Sequence, residues 1–199
     1  MFKGTSASAG IGIGKAVIVE EAELVITRNE VADAEAEIQR FKGALEKTIA
    51  ATQKMADDLA SRVGEKEAEI MQGHMMLLSD PMLTGEIENS VKNDKVNCEF
   101  AIENVCNMYA DMFASMGDEL MQQRATDMRD IKVRMQRTLM GLESVDVSLL
   151  PKGSILVAKD LTPSMTAGIN PENVSGIVTE LGGKTSHSAI LARALEIPA

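Results

Sequence analysis

Proline is nearly absent from the middle of this chain, and that absence constrains the fold more than any other feature. Of five prolines in 199 residues, only Pro81 lies between residues 29 and 142. In the same block apolar residues such as Ile38, Phe41 and Leu45 recur at helical spacing. A proline inside a helix costs roughly 3 kcal/mol. We therefore predict an antiparallel bundle of four long or broken helices.

Capping signals divide this block into its helices. We predict Asn29 as the N-cap of a long first helix that Gly64 ends, and a shorter helix over about residues 66–78. Pro81 is expected to start the next helix. Gly117 should separate the last two helices, and the final one should end near residue 141. In the penultimate helix one apolar face should pack into the bundle core. Its residues are Ala101, Val105, Met108, Met112 and Met116.

The segments on both sides of the helical block have the composition of strands. Residues 16–20 and 24–27 are β-branched runs that follow Gly-x-Gly-x-Gly at residues 10–14. That spacing does not fit a dinucleotide-binding turn, so we interpret it as close strand packing. From Pro151 onward a strand, a helix capped by Thr162, a second strand and a second helix predict a small α/β unit. The N-terminal strands should join it, giving domains 1–28 plus 143–199 and 29–142.

Composition excludes several classes of function. A net charge of −10 argues against nucleic-acid binding, and four Phe, one Tyr and no Trp leave no base-stacking platform. Residues 29–142 hold 21 acidic and 13 basic residues, which is eight of the ten net negative charges. This excess is either a solvated surface or an acidic platform for a basic partner.

The cysteines and the hydropathy pattern indicate the compartment. Cys98 and Cys106 lie eight residues apart within a helical pattern and form no metal-binding spacing. The sequence has no secretory apolar segment and no apolar run of transmembrane length. We therefore expect a soluble cytoplasmic protein with reduced thiols, and no metal or cofactor bound by these 199 residues.

The stretch from Gly182 to Arg193 holds the candidate chemistry. A strand, two glycines and a helix start at His187 would present backbone N–H groups and a positive helix end to an anion. A neutral imidazole is a good nucleophile toward phosphorus, and the helix end favours the neutral ring. From the residues alone, His187 is either a capping group or a phosphate carrier. A metal site, or a serine nucleophile at Ser186 or Ser188, has weaker support.

The run GGKTSHSAILARALEIPA at residues 182–199 resembles the phosphohistidine signature of three enzyme families. These are Enzyme I of the bacterial sugar phosphotransferase system, pyruvate phosphate dikinase and phosphoenolpyruvate synthase. Segments 10–16, 73–81, 124–131 and 160–167 resemble Enzyme I in particular.

The resemblance to Enzyme I implies a fold and an activity. The fold is a small swivelling phosphohistidine α/β domain with an inserted helical bundle. His187 matches the histidine that takes the phosphoryl group of phosphoenolpyruvate on Nε2 and passes it to a histidine of the carrier HPr. Thr166 matches the threonine that orients the imidazole through its other ring nitrogen. The residues expected to surround the phosphate are Gly182, Gly183, Lys184, Thr185, Ser186 and Arg193.

The same resemblance makes the helical insertion the docking platform for HPr. The expected contact residues are Glu65, Glu67, His74, Met76, Leu77, Asp80, Met82, Leu83 and Arg124. For the apolar residues among them the alternative is the core of the bundle.

Two departures from the family pattern limit this expectation. Lys184 stands where the family often has arginine, which weakens bidentate phosphate contact. The family also continues with further strands, a linker helix and a barrel domain that binds phosphoenolpyruvate and magnesium and forms the dimer. We therefore expect a monomeric part of a longer enzyme that exchanges phosphate only with HPr, with an uncovered sheet edge. A dikinase-type phosphohistidine domain and a non-catalytic helical interaction protein are the alternatives.

Overall fold

A computed structural model of the chain describes residues 4–184 and 186–199. Thr185, one of the residues expected near the phosphate, lies outside them. A short 3₁₀ turn covers Val147–Leu149. The strands are β1 (Lys15–Val19), β2 (Ser154–Ala158) and β3 (Val174–Thr179). The helices are α1 (Ala34–Arg62), α2 (Glu65–Leu78), α3 (Pro81–Asp94), α4 (Cys98–Ser115), α5 (Glu119–Met140), α6 (Pro163–Ala167) and α7 (His187–Ala194).

Contacts along the chain define two compact units. Unit 1 contains the residues up to 22, then 55–69 and 145–199, and unit 2 contains 23–54 and 70–144. The expected boundaries at residues 28 and 142 lie close to these. The segment 55–69 differs, because contacts group it with the α/β unit although it was expected in the helical block.

Unit 2 is built from the helices that the periodicity predicts. Its core includes Phe41, Ile87, Ile102 and Ile131, each at most 1% exposed. Pro81 opens α3 as predicted, and the side chain of Asp80 caps that helix by accepting a hydrogen bond from Met82 N. None of the described helices is both long enough and apolar enough to span a membrane.

An arginine on α1 links that helix to α4. The Arg40 guanidinium donates to the carboxylates of Glu37 and Glu99, at 2.6 and 2.8 Å. The hydrogen bond from Arg40 holds the pKa of Glu37 below its usual range. This cluster lies where α4 begins, and it aligns the two helices.

The predicted N-cap at Asn29 is wrong. Helix α1 begins at Ala34, and Asp33 caps it by accepting from Ala36 N at 3.0 Å. The backbone N–H of Asn29 instead donates to Asn97 Oδ1 at 2.9 Å, and its carbonyl accepts from Asn97 N. A partner 68 residues away therefore holds Asn29 outside the helix.

Two further expectations in unit 2 are wrong. Residues 24–27 form no strand, and Val25 is 81% exposed. The expected inner stripe of α4 is correct for Ala101 and Val105, which are 0% and 8% exposed, but wrong for Met108, Met112 and Met116, which are 42–54% exposed. Small residues such as Cys106 and Ala110 occupy the buried face instead, because they allow α4 to approach α5 closely.

The two cysteines are both free and buried. Burial raises the pKa of Cys106 to about 12 and also raises the pKa of Cys98. Both side chains are therefore neutral thiols that serve as small apolar groups in the core of unit 2.

Unit 1 contains a parallel three-stranded sheet in the order β1-β2-β3. Val17 pairs with Leu156, which pairs with Ile177. The pairing of β1 with β2 confirms that the N-terminal strand joins the α/β unit across the helical block. Ile18 and Val178 flank Val157 on the other face and are 70% and 54% exposed. This apolar exposure is unusual, because parallel sheets are ordinarily covered on both faces.

The alternating glycines before β1 allow close backbone packing. A Cβ at Gly12 would lie 2.2 Å from the Ser175 carbonyl oxygen, and one at Gly14 would lie 2.0 Å from that of Gly153. Both atoms belong to the backbone, which cannot move without shifting the sheet. This geometry confirms the interpretation of the Gly-x-Gly-x-Gly run as close packing.

We predict that Gly14→Ala destabilises the protein by about 1–3 kcal/mol, since the methyl group overlaps backbone. The matched control is Gly43→Ala in the middle of α1, where no atom lies within 4 Å of the added Cβ. That change should stabilise by roughly 0.5–1 kcal/mol. Denaturant unfolding of both variants tests the prediction, and an equal effect of the two substitutions would contradict it.

Candidate active site at the start of α7

Helix α7 follows a glycine turn, and Ser186 caps it. Gly182 has a φ of +104°, which only glycine adopts without strain. The hydroxyl of Ser186 accepts from Ala189 N at 3.2 Å and donates to the Gly183 carbonyl at 2.8 Å. The same hydroxyl lies 2.9 Å from Ser188 Oγ. The turn is thus tied to the first residues of the helix.

His187 is the first residue of α7, and its side chain is half-buried. At this position the imidazole lies at the positive end of an eight-residue helix. An anionic group attached to the ring would be stabilised by that end. This arrangement suits a histidine that carries a phosphoryl group.

Thr166 lies on α6, which packs against α7. Its side chain is buried, with 2% exposed, and Oγ1 donates to the Thr162 carbonyl at 2.7 Å. Thr162 caps α6, as predicted, by accepting from Met165 N. Because the hydroxyl hydrogen of Thr166 is directed at a carbonyl, the oxygen meets any further polar neighbour as an acceptor.

Arg193 binds the backbone of the turn. Its Nη1 donates to the carbonyls of Lys184 at 2.9 Å and Ala7 at 3.0 Å. The guanidinium thus holds the loop before His187 against the N-terminal segment. Its expected contact with phosphate stays a prediction, as do those of Gly182, Gly183 and Lys184, which are exposed in the turn.

His74 and Leu83 correct the expected docking surface. His74 is 0% exposed, with Nε2 3.3 Å from Asp127 Oδ1 and Nδ1 3.7 Å from Asp130 Oδ2. Leu83 is 2% exposed and lies on the inner face of α3. Neither side chain can contact a partner directly from these positions.

Arg124 continues the cluster around His74. Its Nη1 lies 3.4 Å from Asp127 Oδ2. A Cβ at residue 73 would lie 2.5 Å from that nitrogen, so Gly73 leaves room for the guanidinium. Sequence reasoning identified His74 and Arg124 but missed Asp127 and Asp130. The sequence shows that these two acids lie on one face of α5, but it does not show that this face is buried.

The remaining expected contact residues are placed as follows. Met76 and Met82 are 74% and 68% exposed around the junction of α2 and α3. Asp80 caps α3, and Leu77 is half-buried against the core of unit 2. Glu65 is exposed and Glu67 half-buried, but both belong to unit 1. An exposed pair of methionines beside Asp80 is therefore the part of the expected surface that unit 2 presents.

Within residues 4–184 and 186–199, no group of three or more His, Cys, Asp or Glu side chains is arranged to hold a metal ion. The His74 cluster is accordingly a buried network of hydrogen bonds and ion pairs.

Two family models match most of the chain. The model described as PEP-utilising enzyme, N-terminal, matches residues 3–124, and that described as PEP-utilising enzyme, mobile domain, matches residues 150–199. The chain therefore belongs to the family of PEP-utilising enzymes.

Within that family the chain is similar to Enzyme I. It is 42% identical over 198 residues to the phosphoenolpyruvate-protein phosphotransferase of Bacillus subtilis (strain 168). It is 44% identical over 198 residues to that of Listeria monocytogenes serovar 1/2a. Each match covers 100% of this chain and 35% of the relative. The chain thus spans about a third of the length of the curated relatives it matches.

Two solved structures of Enzyme I proteins are also similar to this chain. An NMR solution structure of Enzyme I (nEIt) matches with a TM-score of 0.86 and 40% identity, covering 100% of this chain and 81% of that one. The N-terminal domain of Enzyme 1 - Nitrogen matches with a TM-score of 0.67 and 27% identity, covering 96% and 79%. These matches confirm the expected resemblance and the expected fold class, an α/β unit combined with a helical unit.

The burial of His74 yields a prediction. His74→Ala should lower the free energy of unfolding by about 1–3 kcal/mol, because it leaves the buried Asp127 carboxylate without its ring partner. The matched control, Met76→Ala on the exposed side of the same helix, should change it by no more than about 0.5 kcal/mol. Denaturant titration measures both, and equal stabilities would show that the cluster around His74 does not stabilise unit 2.

Proposed function

We propose that His187 carries a phosphoryl group that it exchanges with a histidine of the phosphocarrier HPr. In the longer enzyme this would be the first protein step of the sugar phosphotransferase system. The observation that carries the proposal is the position of His187 at the start of a Ser186-capped helix, after a glycine turn and against the helix of Thr166. The likeness to Enzyme I over the whole chain supports it.

Thr166 supports the choice of the reacting nitrogen. Its hydroxyl donates to the Thr162 carbonyl, so it binds a ring nitrogen only if that nitrogen carries hydrogen. A hydrogen bond from Nδ1–H to Thr166 Oγ1 would leave the lone pair of Nε2 for attack on phosphorus. The neutral tautomer and the orientation of the ring would then be set together.

The exchange balances without an added proton. The Nε2 lone pair of His187 forms a bond to phosphorus, while the phosphorus–nitrogen bond of phospho-HPr breaks and its electron pair stays on the HPr imidazole. A hydrogen already on the other nitrogen of that imidazole makes it leave as a neutral ring, and His187 keeps its hydrogen on Nδ1. The phosphate charge then lies at the start of α7, where the helix end stabilises it by about 0.3–1 kcal/mol or more.

The docking surface proposed for HPr is the junction of α2 and α3. Met76 and Met82 supply exposed apolar contact, and Asp80 together with the net negative charge of the chain would attract a basic carrier. Leu77 and Arg124 extend this surface within unit 2, and Glu65 and Glu67 stay separate proposed contacts in unit 1. His74 and Leu83 would act beneath it, by supporting the helices that carry the contacts.

The donor step is assigned to the part of the enzyme that this chain does not span. We propose that phosphoenolpyruvate and magnesium bind there, and that these 199 residues act as a monomer in the cytoplasm. A dikinase-type domain has less support, because the Enzyme I structure matches both the helical and the α/β residues.

The test is phosphoryl exchange with phospho-HPr. The wild-type chain should gain one acid-labile phosphate on His187, detected by intact-mass and peptide mass spectrometry at neutral pH. His187→Ala should gain none, while the control Ser148→Ala, on the exposed 3₁₀ turn, should be labelled like the wild type.

Two outcomes would contradict the proposal. One is a folded wild-type chain that takes no label, which would favour the non-catalytic interaction protein. The other is label that persists in His187→Ala, which would place the carrier elsewhere.

A further inference from the structure

Arg62, the last residue of α1, binds the end of α6. Its Nη1 donates to the Ile169 carbonyl at 2.5 Å and its Nη2 to the Ala167 carbonyl at 2.6 Å. Its Nε donates to the carbonyl of Asp58, one turn back on α1, at 3.1 Å. All three nitrogen atoms of the guanidinium thus bind backbone, and all of these residues belong to unit 1.

These contacts stabilise a short helix at its weaker end. Helix α6 has five residues, and its last carbonyls have few partners within the helix. The guanidinium binds the carbonyl of Ala167, the last residue of α6, and that of Ile169 just beyond it, and its charge complements the negative ends of both α6 and α1. The planar fork of arginine reaches two carbonyls at once, which the single ammonium group of lysine does not reproduce.

The bound segment carries Thr166. Ala167 follows it directly, and the hydroxyl of Thr166 is fixed by the Thr162 carbonyl one turn earlier. Helix α6 is thus held at its start by the Thr162 cap and at its end by Arg62. Since α6 packs against α7, the position of Thr166 relative to His187 depends on both ends.

We propose that Arg62 is a positioning residue for His187, acting through α6 and Thr166. This inference rests on the proposed function, because phosphoryl transfer is its kinetic readout. Small displacements of an orienting group cost rate rather than binding. An error of about 1 Å in a catalytic constellation lowers rates by roughly 100-fold.

The experiment compares Arg62→Met with Arg62→Lys, and uses Arg28→Met as a matched control on an exposed arginine. With phospho-HPr as donor, Arg62→Met should lower the kcat for labelling His187 by roughly 10- to 100-fold and leave the KM for phospho-HPr unchanged. Arg62→Lys should recover only part of the rate, and Arg28→Met should match the wild type.

A second readout separates positioning from stability. The chain has two histidines, so ¹⁵N-labelled imidazoles give two sets of ring signals. In Arg62→Met the signals of His187 should shift toward a mixture of tautomers. Those of His74, buried in unit 2, should stay at their wild-type values. If Arg62→Met does not fold, Arg62→Lys is judged by the same two readouts.

Several results would overturn the inference. One is a folded variant with the wild-type kcat and unshifted His187 signals. Another is a change in both histidines together, which would mean that Arg62 acts on global stability alone. If the wild-type chain takes no phosphate, the proposed function fails, and the imidazole signals still decide the role of Arg62.

Discussion

Thr166 Oγ1 donates its hydrogen to the Thr162 carbonyl, so this hydroxyl can only accept a hydrogen bond from any other neighbour. Ser186 is arranged in the same way, since its hydroxyl donates to the Gly183 carbonyl. Two hydroxyls on two helices are therefore committed as donors to backbone, and each meets further polar groups through its oxygen. In the proposed site, a ring nitrogen of His187 that faces Thr166 Oγ1 must carry hydrogen, and the lone pair is then on the other ring nitrogen. The proposed chemistry of His187 depends on this assignment.

Holding those hydroxyls in place requires distant parts of unit 1. Gly12 and Gly14 let the N-terminal segment approach the backbone next to β2 and β3, and the sheet supports the turn before α7. Arg193 ties that turn to Ala7, and Arg62 ties α6 to the end of α1. Backbone carbonyls accept all of these arginine contacts. The site is therefore organised mainly by main-chain geometry.

Local signals in the sequence predicted the elements well. The helix start at Pro81, the cap at Thr162–Pro163 and the strand runs before α6 and α7 depend on residues close together in the sequence. The glycines before β1 were likewise interpreted correctly. These features need no knowledge of distant contacts, so their physical basis lies in the sequence itself.

Several misses involve partners far away in the chain. Asn29 pairs with a residue 68 positions away, and His74 with Asp127, 53 positions away. Arg62 binds a carbonyl 105 positions away. The spacing of apolar residues within one segment of the sequence cannot predict such contacts. The helical spacing of Met108, Met112 and Met116 predicted that they face the core of unit 2. Cys106 and Ala110 occupy that face instead, since small residues let α4 pack closely against α5.

The most direct measurement of the central claim identifies which ring nitrogen carries the phosphate. The ¹⁵N-labelled chain is phosphorylated with phospho-HPr, and ¹⁵N–³¹P couplings are recorded at neutral pH. The account predicts a one-bond coupling to Nε2 of His187, with Nδ1 still bearing hydrogen. A phosphate on Nδ1 would contradict it, since the proposal directs the hydrogen of that nitrogen at Thr166.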